Sequence, residues 1–535
     1  MGEKKVVVIG AGPGGYVAAL RAAALGGDVT IIEKEHLGGT CLNWGCIPSK
    51  IMKTSADIYL KFKEADEFGI NVDGTVTADM TAIMARKQKI VEMQRKGILS
   101  LLQHAKIKFE QGRGYIKGKG VVAVINEAVN NKSEDCNTQN CGKNFDINNC
   151  KHKEVYYDSL IIATGTSPLN IGAFPFDGES ILSSNHLLSL NEIPKSIVIV
   201  GGGVIGCEFA CILSALGSSV TVVEAMSRLL PLPSVDESCS TTLQREMKKR
   251  KIKVITDKVV EKAEKRDGKL ILTLGISPFS DKAAKVVKGS AQPQIANQQP
   301  QTFELQTLET EKMAVCIGRS PLASNLGLEN IGLKTNEKGW IDVNDYMETS
   351  IAGVYAIGDI LGPQRIMLAH VASHEGMVAA QNAMSLTVNG NSTGNKADYV
   401  KNSGDNGVIK MDYSAVPSAI FTMPEIGNVG LTEAQAKTQE IDVKCSTVNF
   451  RILGKAHAIG EIAGEAKIVA EASSGKVLGI HITGPHATDL IAEATLAVNK
   501  GLTVSDIAHT IHAHPTLAEI LSEAALKGVG MALHG

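Results

Sequence analysis

Apolar residues along this chain gather in short β-branched runs, each closed by glycines. Val6-Val7-Val8-Ile9 runs into Gly10-Ala11-Gly12-Pro13-Gly14-Gly15; an Ala-rich helical stretch follows, and Asp28-Val29-Thr30-Ile31-Ile32 ends on Glu33. The same order returns later. Ile197-Val198-Ile199-Val200 meets Gly201-Gly202-Gly203-Val204-Ile205-Gly206, then a helical stretch, then Ser219-Val220-Thr221-Val222-Val223 and Glu224. First glycine and acid are 23 residues apart in both copies. A short apolar run bounded by glycine reads as a buried strand, and strand–turn–helix–strand reads as a parallel βαβ unit. Two equal copies predict two nucleotide-binding domains. From Tyr413 onward, strand-like runs (Lys467–Ala470, Val477–Ile480) alternate with helical ones (Leu490–Lys500), which predicts a separate α+β domain.

Three stretches break the pattern: Asn130–Lys153, Ser277–Thr302 and Val388–Gly407 are polar and cannot bury a core. They read as surface insertions. The expected layout is residues 1–170, 171–311, 312–387, a linker at 388–412, and 413–535. The first insertion holds Cys136, Cys141, Cys150 and His152, a conceivable metal group whose spacing matches no standard zinc pattern.

Composition narrows the classes of function. With 54 basic and 56 acidic residues the net charge is −2, so no basic field points to nucleic acid or an anionic membrane. No run of eighteen apolar residues predicts a membrane span. The strand expected from Lys5 leaves no room for a targeting peptide, and Val6 rather than Ser or Thr argues against myristoylation. Ten scattered cysteines lack the spacing of a secreted scaffold. A soluble protein of a reducing compartment is expected, cytoplasm or mitochondrial matrix, where a disulfide is catalytic rather than structural.

The motifs carry the chemistry. Gly10 permits the tight turn, Gly12 lets the backbone approach a pyrophosphate, and Gly15 lets helix pack on strand; Pro13 lies in the same cofactor-binding turn. The helix N-terminus favours the phosphates, and Glu33 can accept from a ribose diol. In the second copy, Glu224 favours NAD over NADP, because it accepts a 2′-hydroxyl and repels a 2′-phosphate; Arg228 nearby keeps an NADP reading open. Between the copies lies Gly39-Thr40-Cys41-Leu42-Asn43-Trp44-Gly45-Cys46-Ile47-Pro48-Ser49-Lys50. Positions five apart on an ideal helix have Cα atoms roughly 8.7 Å apart, whereas a disulfide needs less than about 7 Å. A Cys41–Cys46 disulfide therefore requires a distorted helix start, which Gly45 and Pro48 ease. Such a bond is reducible. Near the other end, His514 and Glu519 stand in His512-Ala513-His514-Pro515-Thr516-Leu517-Ala518-Glu519. They read as a general acid/base held by a carboxylate. The alternatives are a metal site of His509, His512 and His514, or a structural histidine.

Taken together, these residues resemble the class I pyridine-nucleotide disulfide oxidoreductases, and most closely the members that oxidise dihydrolipoamide. The resemblance rests on Gly39–Lys50 and His512–Glu519. It rests also on Ala163-Thr164-Gly165, Gly318-Arg319-Ser320-Pro321, Ala356-Ile357-Gly358-Asp359 and Met367-Leu368-Ala369-His370. It implies an α/β fold: two Rossmann-like FAD- and NAD(P)-binding domains, a central domain, and a C-terminal α+β dimerisation domain. It implies that Lys34, Gly39, Thr40, Lys50 and Gly114 join the first glycine turn in binding cofactor. Ala163, Thr164, Gly165, Gly318, Arg319, Gly358, Met367, Leu368, Ala369 and His370 would do likewise, with Asp359 on the FAD ribityl chain. Gly201, Gly203, Ile205, Gly206 and Glu224 would bind NAD. Lys50 would pair with Glu208 near the flavin. Cys41 would meet the substrate and Cys46 the flavin, with His514 arriving from the other subunit of a homodimer.

The implied substrate is dihydrolipoamide, free or protein-bound, and the implied partner is the acyltransferase of a 2-oxoacid dehydrogenase. Two rivals remain: an NAD(P)H-dependent reductase of another disulfide such as glutathione, and a redox-inactive FAD protein serving as sensor or structural subunit. Ser49-Lys50 stands where glutathione reductases usually carry a Lys pair. The last cysteine is Cys445, so no C-terminal redox relay is expected. Trp44 departs from the small or apolar residue usual there.

Overall fold

The computed structural model describes residues 3–126, 147, 150–280, 306–385 and 407–534. The three expected insertions lie largely outside these residues, Cys136 and Cys141 among them. One boundary of the insertions shifts. The strand His152–Tyr156 pairs with Val121–Ile125, His152 opposite Ile125, so the first insertion ends before His152 rather than at Lys153. Cys150 is disulfide-bonded, which removes it from a thiolate metal set.

The chain divides into two compact units, residues 1–48, 85–169 and 318–412, and residues 49–84, 170–317 and 413–535. The first unit is built on a five-stranded parallel sheet. Its order is Val354–Ala356, Ser159–Ile162, Lys5–Ile9, Asp28–Glu33, Lys108–Gln111. Both faces of such a sheet are covered, so its strands are continuous apolar runs; Val6, Val8, Leu160, Ile161 and Ile162 are fully buried. The helix Pro13–Ala24 lies on it, burying Ala18, Ala19 and Ala22. Small residues let this helix approach Ala369–Ser385 closely: a Cβ on Gly376 would stand 2.5 Å from the Gly14 carbonyl.

The second unit repeats the design. Its parallel sheet runs Lys253–Ile255, Ser219–Val223, Ser196–Val200, Lys312–Val315, Ile181–Ser183. The registers of the two copies match: Lys5 to Ile9 pair with Asp28 to Ile32, and Ser196 to Val200 with Ser219 to Val223, every pair 23 positions apart. The boundary expected at 311/312 falls just before Lys312–Val315, which joins this second sheet, while Val354–Ala356 joins the first. The same unit carries an antiparallel sheet ordered Ser418–Ile420, Glu425–Gly430, Val477–Gly484, Glu465–Glu471, Val443–Asn449. Helices Ala487–Lys500 and Glu519–Gly528 contribute their buried faces to its core. Among the described residues no helix is long and apolar enough to cross a membrane.

Candidate active site

The two glycine turns agree bond by bond. Gly10 donates to the Ile32 carbonyl and Gly201 to that of Val223, both at 2.8 Å. Both first glycines are left-handed, φ +101° and +105°. A Cβ there would meet a carbonyl oxygen, Ala163 O at 2.3 Å or Cys316 O at 2.5 Å. The third glycines, Gly15 and Gly206, would put a Cβ 1.9 Å from the first glycine's oxygen. The middle glycines differ. Among the described residues, a Cβ on Gly12 would reach only Gly39 Cα, at 3.9 Å, and one on Gly203 would meet nothing within 4 Å. Both cap their helices in extended conformation without a side-chain cap, which leaves the first amides pointing outward. That is a cradle for a pyrophosphate, with room that only a glycine leaves. Thr164 Oγ1, in the adjoining Ala163-Thr164-Gly165, is buried with no hydrogen-bond partner among the described residues. A dinucleotide therefore fits the first turn, and the matching second turn fits another.

The acids also correspond. Glu33 accepts from the amides of Ala11 and Glu35, both at 2.8 Å; Glu224 accepts from Gly202 at 2.5 Å and Met226 at 2.7 Å. Burial pushes the Glu33 carboxyl up against the pull of these amides. Each carboxylate oxygen keeps a further acceptor site. Arg228 faces elsewhere, donating to the carbonyls of Leu230, Leu232 and Val235 and to Ser240 Oγ.

The cysteine segment is a broken helix. Gly39–Trp44 is one short helix, Gly45 interrupts it at φ −154° and ψ −112°, and Cys46 opens the helix Cys46–Lys63. It is a distortion of the kind that a Cys41–Cys46 disulfide requires. The segment sits backbone to backbone on the first turn: Gly38 donates to Ala11 O at 2.8 Å, and a Cβ on Gly39 would lie 2.6 Å from Gly12 Cα. Cys41 is half-buried and Cys46 exposed. The Tyr16 hydroxyl is pushed up by burial and by the charge of a Cys41 thiolate. Asn43 and Arg95 were not legible in the sequence. The buried Asn43 amide donates to Leu37 O and Gly39 O at 3.1 and 2.7 Å, and Arg95 Nε donates back to it at 2.5 Å.

Asp359 accepts from Thr166 Oγ1 at 3.0 Å and lies 3.7 Å from Arg319, which itself donates to Thr166 Oγ1 at 2.6 Å. Burial lowers the Arg319 guanidinium. The amide of Gly358 donates to Glu375, a carboxylate 1% exposed that no sequence motif marks. Met367, Leu368 and Ala369 are half-buried where the Ala369–Ser385 helix begins, and His370 is exposed. Gly165 and Gly318 are left-handed turns; Gly114 packs on Ile9, 2.9 Å from a would-be Cβ. Thr40 and Ile205 are half-buried. Among the described residues Lys34 pairs with neighbouring Glu35, at 3.4 Å.

In the second unit Lys50 reaches both oxygens of Glu208, at 3.1 and 2.9 Å, and lies 4.1 Å from the centre of the Phe421 ring. Glu208 is 6% exposed and also accepts from the Phe421 amide at 2.9 Å. His514 Nδ1 bonds Glu519 Oε1 at 2.8 Å, and Thr516 N bonds Oε2 at 2.9 Å. Against burial, which raises it, these bonds hold the Glu519 carboxyl below its usual range. His512 has both ring nitrogens engaged, by Thr510 O and Glu493, and His509 bonds Ser505 O.

Residues 4–376 match the pyridine nucleotide-disulphide oxidoreductase model, and residues 416–525 match that family's dimerisation domain. The chain belongs to the pyridine nucleotide-disulphide oxidoreductase family. Within the family it is 37% identical to the dihydrolipoyl dehydrogenase of Chlamydia trachomatis, covering 99% of this chain and 97% of the relative. It is 37% identical to one from Bacillus subtilis, over 99% of each chain, and 34% identical to that of Geobacillus stearothermophilus, over 99% and 97%. A crystal structure of LpdA from Mycobacterium tuberculosis superposes with a TM-score of 0.79 at 24% identity, covering 98% of this chain and 99% of that one. The HOCl-induced flavoprotein disulfide reductase RclA of Escherichia coli gives 0.74 at 22%, covering 97% and 99%. At such identities the two structures speak for the fold. The α/β class with two nucleotide-binding halves and a dimerisation domain is thus the family's own.

Proposed function

We propose that the chain is a FAD-dependent oxidoreductase that oxidises dihydrolipoamide with NAD⁺ through Cys41 and Cys46. One observation carries the reading. The cysteines straddle a helix break packed on the first dinucleotide turn, in a chain at least 34% identical over nearly its whole length to dihydrolipoyl dehydrogenases. FAD belongs to the first turn and NAD to the second, where Glu224 suits a 2′-hydroxyl.

The working form is a homodimer in which His514 of the partner subunit faces the Cys41–Cys46 disulfide. Ile511, 98% exposed beside His512 and His514, is apolar surface that a second copy would cover. His514 takes a proton from one substrate thiol, and Glu519 stabilises the imidazolium. The substrate thiolate attacks Cys41 Sγ, and Cys46 leaves as a thiolate favoured by the N-terminus of its helix. The second substrate thiol then attacks its own mixed disulfide, releasing lipoamide and Cys41 as a thiol or thiolate. Two electrons have passed to the cysteine pair. Bound FAD and NAD⁺ supply the redox chemistry that carries them onward. Lys50, held by Glu208, sets a fixed positive charge one helical turn beyond Cys46.

A 2-oxoacid dehydrogenase acyltransferase is the partner this reading implies. The test is a steady-state assay of dihydrolipoamide with NAD⁺ against glutathione disulfide with NADPH. Turnover of the first pair alone is expected; turnover of the second alone would replace this reading with a glutathione-type reductase, and turnover of neither with a redox-inactive FAD protein.

A further inference from the structure

Arg228 is placed four residues beyond Glu224, where a cation would suit a nicotinamide dinucleotide's 2′-phosphate. Its geometry says otherwise. Nη1 donates to Leu230 O at 2.8 Å and to Ser240 Oγ at 2.6 Å; Nη2 donates to Leu232 O and Val235 O, both at 3.1 Å. Ser240 Oγ passes a hydrogen bond on to Leu229 O. These carbonyls belong to an irregular loop. Leu230 O and Leu232 O each accept one backbone amide, from Leu232 at 2.7 Å and Val235 at 3.0 Å. The planar guanidinium takes up their second acceptor sites together with Val235 O, closing the loop around itself.

The closed loop presses on the second glycine turn. Leu230, held at φ +47°, donates its amide to Gly202 O at 2.8 Å. Leu229 is fully buried and packs over Gly202, with its Cδ2 2.7 Å from where a Cβ would stand. Gly202 in turn gives its amide to Glu224 Oε2. Gly202 is thereby held on its oxygen by the loop and on its nitrogen by the acid. We infer that Arg228 is a positioning residue for the dinucleotide: it folds residues 229–235 onto the Gly202–Glu224 contact and does not itself bind the ligand. The inference rests on reading that turn as the NAD site.

The test uses the full-length FAD-loaded enzyme carrying Arg228→Lys or, as a milder change, Ser240→Ala. Lysine keeps the charge but cannot serve four spread acceptors from one ammonium. In Arg228→Lys the KM for NAD⁺ is expected to rise about 10-fold, with kcat within about 2-fold and NADP⁺ no better or worse relative to NAD⁺. Ser240→Ala should raise the same KM about 3-fold. Reduction of the enzyme by dihydrolipoamide without nicotinamide should match wild type in both. A normal KM for NAD⁺ in Arg228→Lys, or a selective loss of NADP⁺ turnover, would overturn the inference. If Arg228→Lys does not fold, Ser240→Ala decides, and an unchanged KM there overturns it. A wild-type enzyme that dihydrolipoamide reduces but NAD⁺ cannot reoxidise would instead remove the NAD reading, and the inference with it.

Discussion

His514 Nδ1 is bonded to Glu519 Oε1 at 2.8 Å, and the opposite oxygen of the same carboxylate is anchored by the Thr516 amide at 2.9 Å. The carboxylate thus fixes the tautomer, leaving Nε2 as the basic nitrogen. Because the His514 side chain is 76% exposed, the pair earns little as a stabilising ion pair. Its value lies in orientation. Glu519→Gln should lower kcat with dihydrolipoamide by about 10²-fold, while NADH oxidation by an artificial electron acceptor, which bypasses the thiol step, stays at wild-type rate. Equal loss in both assays would show that Glu519 supports the fold and not proton transfer.

Lys50 and Glu208 make a different kind of pair. Glu208 is nearly inaccessible and Lys50 only partly exposed, so removing the cation strands a buried carboxylate. Removing the charge from Glu208 strands less, since Lys50 can reach water and the Phe421 ring. Lys50→Met should therefore lower the melting temperature by several degrees, from a loss of about 2 kcal/mol. Glu208→Gln should cost less than half of that. Equal melting temperatures for the two variants would contradict the asymmetry.

Legibility in the sequence followed the period of the pattern. The strands Lys5–Ile9 and Ser196–Val200 stand where glycine and β-branched residues announce them, because both faces of a parallel sheet are buried and the apolar signal is unbroken. The helix break at Gly45 agrees with what the spacing requires if Cys41 and Cys46 pair, since no regular helix lets residues five apart form a disulfide. Asn43, Arg95 and Glu375 gave no signal: each acts through a backbone group or a residue distant in sequence, and polar residues of that kind occur on any surface. Arg228, which kept an NADP reading open beside the favoured NAD one, is of the same kind. A charge beside the ribose acid looks like a ligand until its four acceptors are seen, and all four are backbone or hydroxyl oxygens that no sequence motif marks.

Lys467 ties the antiparallel sheet to the second nucleotide half through Asp236, and it also holds Glu433 of its own domain. It lies 3.1 Å from Asp236 and 2.7 Å from Glu433, with Lys467 and Asp236 nearly buried. Hydrogen bonds from Lys437 and Lys467 hold the Glu433 carboxyl down at about 2. Against burial, which raises it, the Ser238 amide and the nearby His481 and Lys467 hold Asp236 down as well. A depressed carboxylate stabilises the fold above its unfolded value and loses that contribution as pH falls through the folded one. Lys467→Met should thus lower stability at pH 7 by on the order of 3 kcal/mol. Its deficit relative to wild type should shrink as pH falls from about 4.5 towards about 2. Denaturant titrations across that range measure this; a deficit independent of pH would show that Lys467 acts by packing alone.

The two glycine turns separate residues needed to fold from residues needed to bind. Gly10 and Gly15 cannot accept a methyl group without striking a carbonyl oxygen at 2.3 or 1.9 Å, and Gly10 is left-handed besides. Gly12 has φ −68° and nothing nearer than 3.9 Å to its would-be Cβ, so alanine there costs the empty protein little. The methyl would project into the space where a pyrophosphate must touch the backbone. Gly12→Ala should fold as a protein with little or no bound FAD, visible as lost flavin absorbance with near-native circular dichroism. Gly15→Ala should lose the fold, and FAD only as a consequence. The second turn gives an independent check: Gly203→Ala should keep its FAD and its dihydrolipoamide-driven reduction while the KM for NAD⁺ rises at least about 10-fold. Retention of full FAD by Gly12→Ala would remove the pyrophosphate from the first turn, however well its geometry fits.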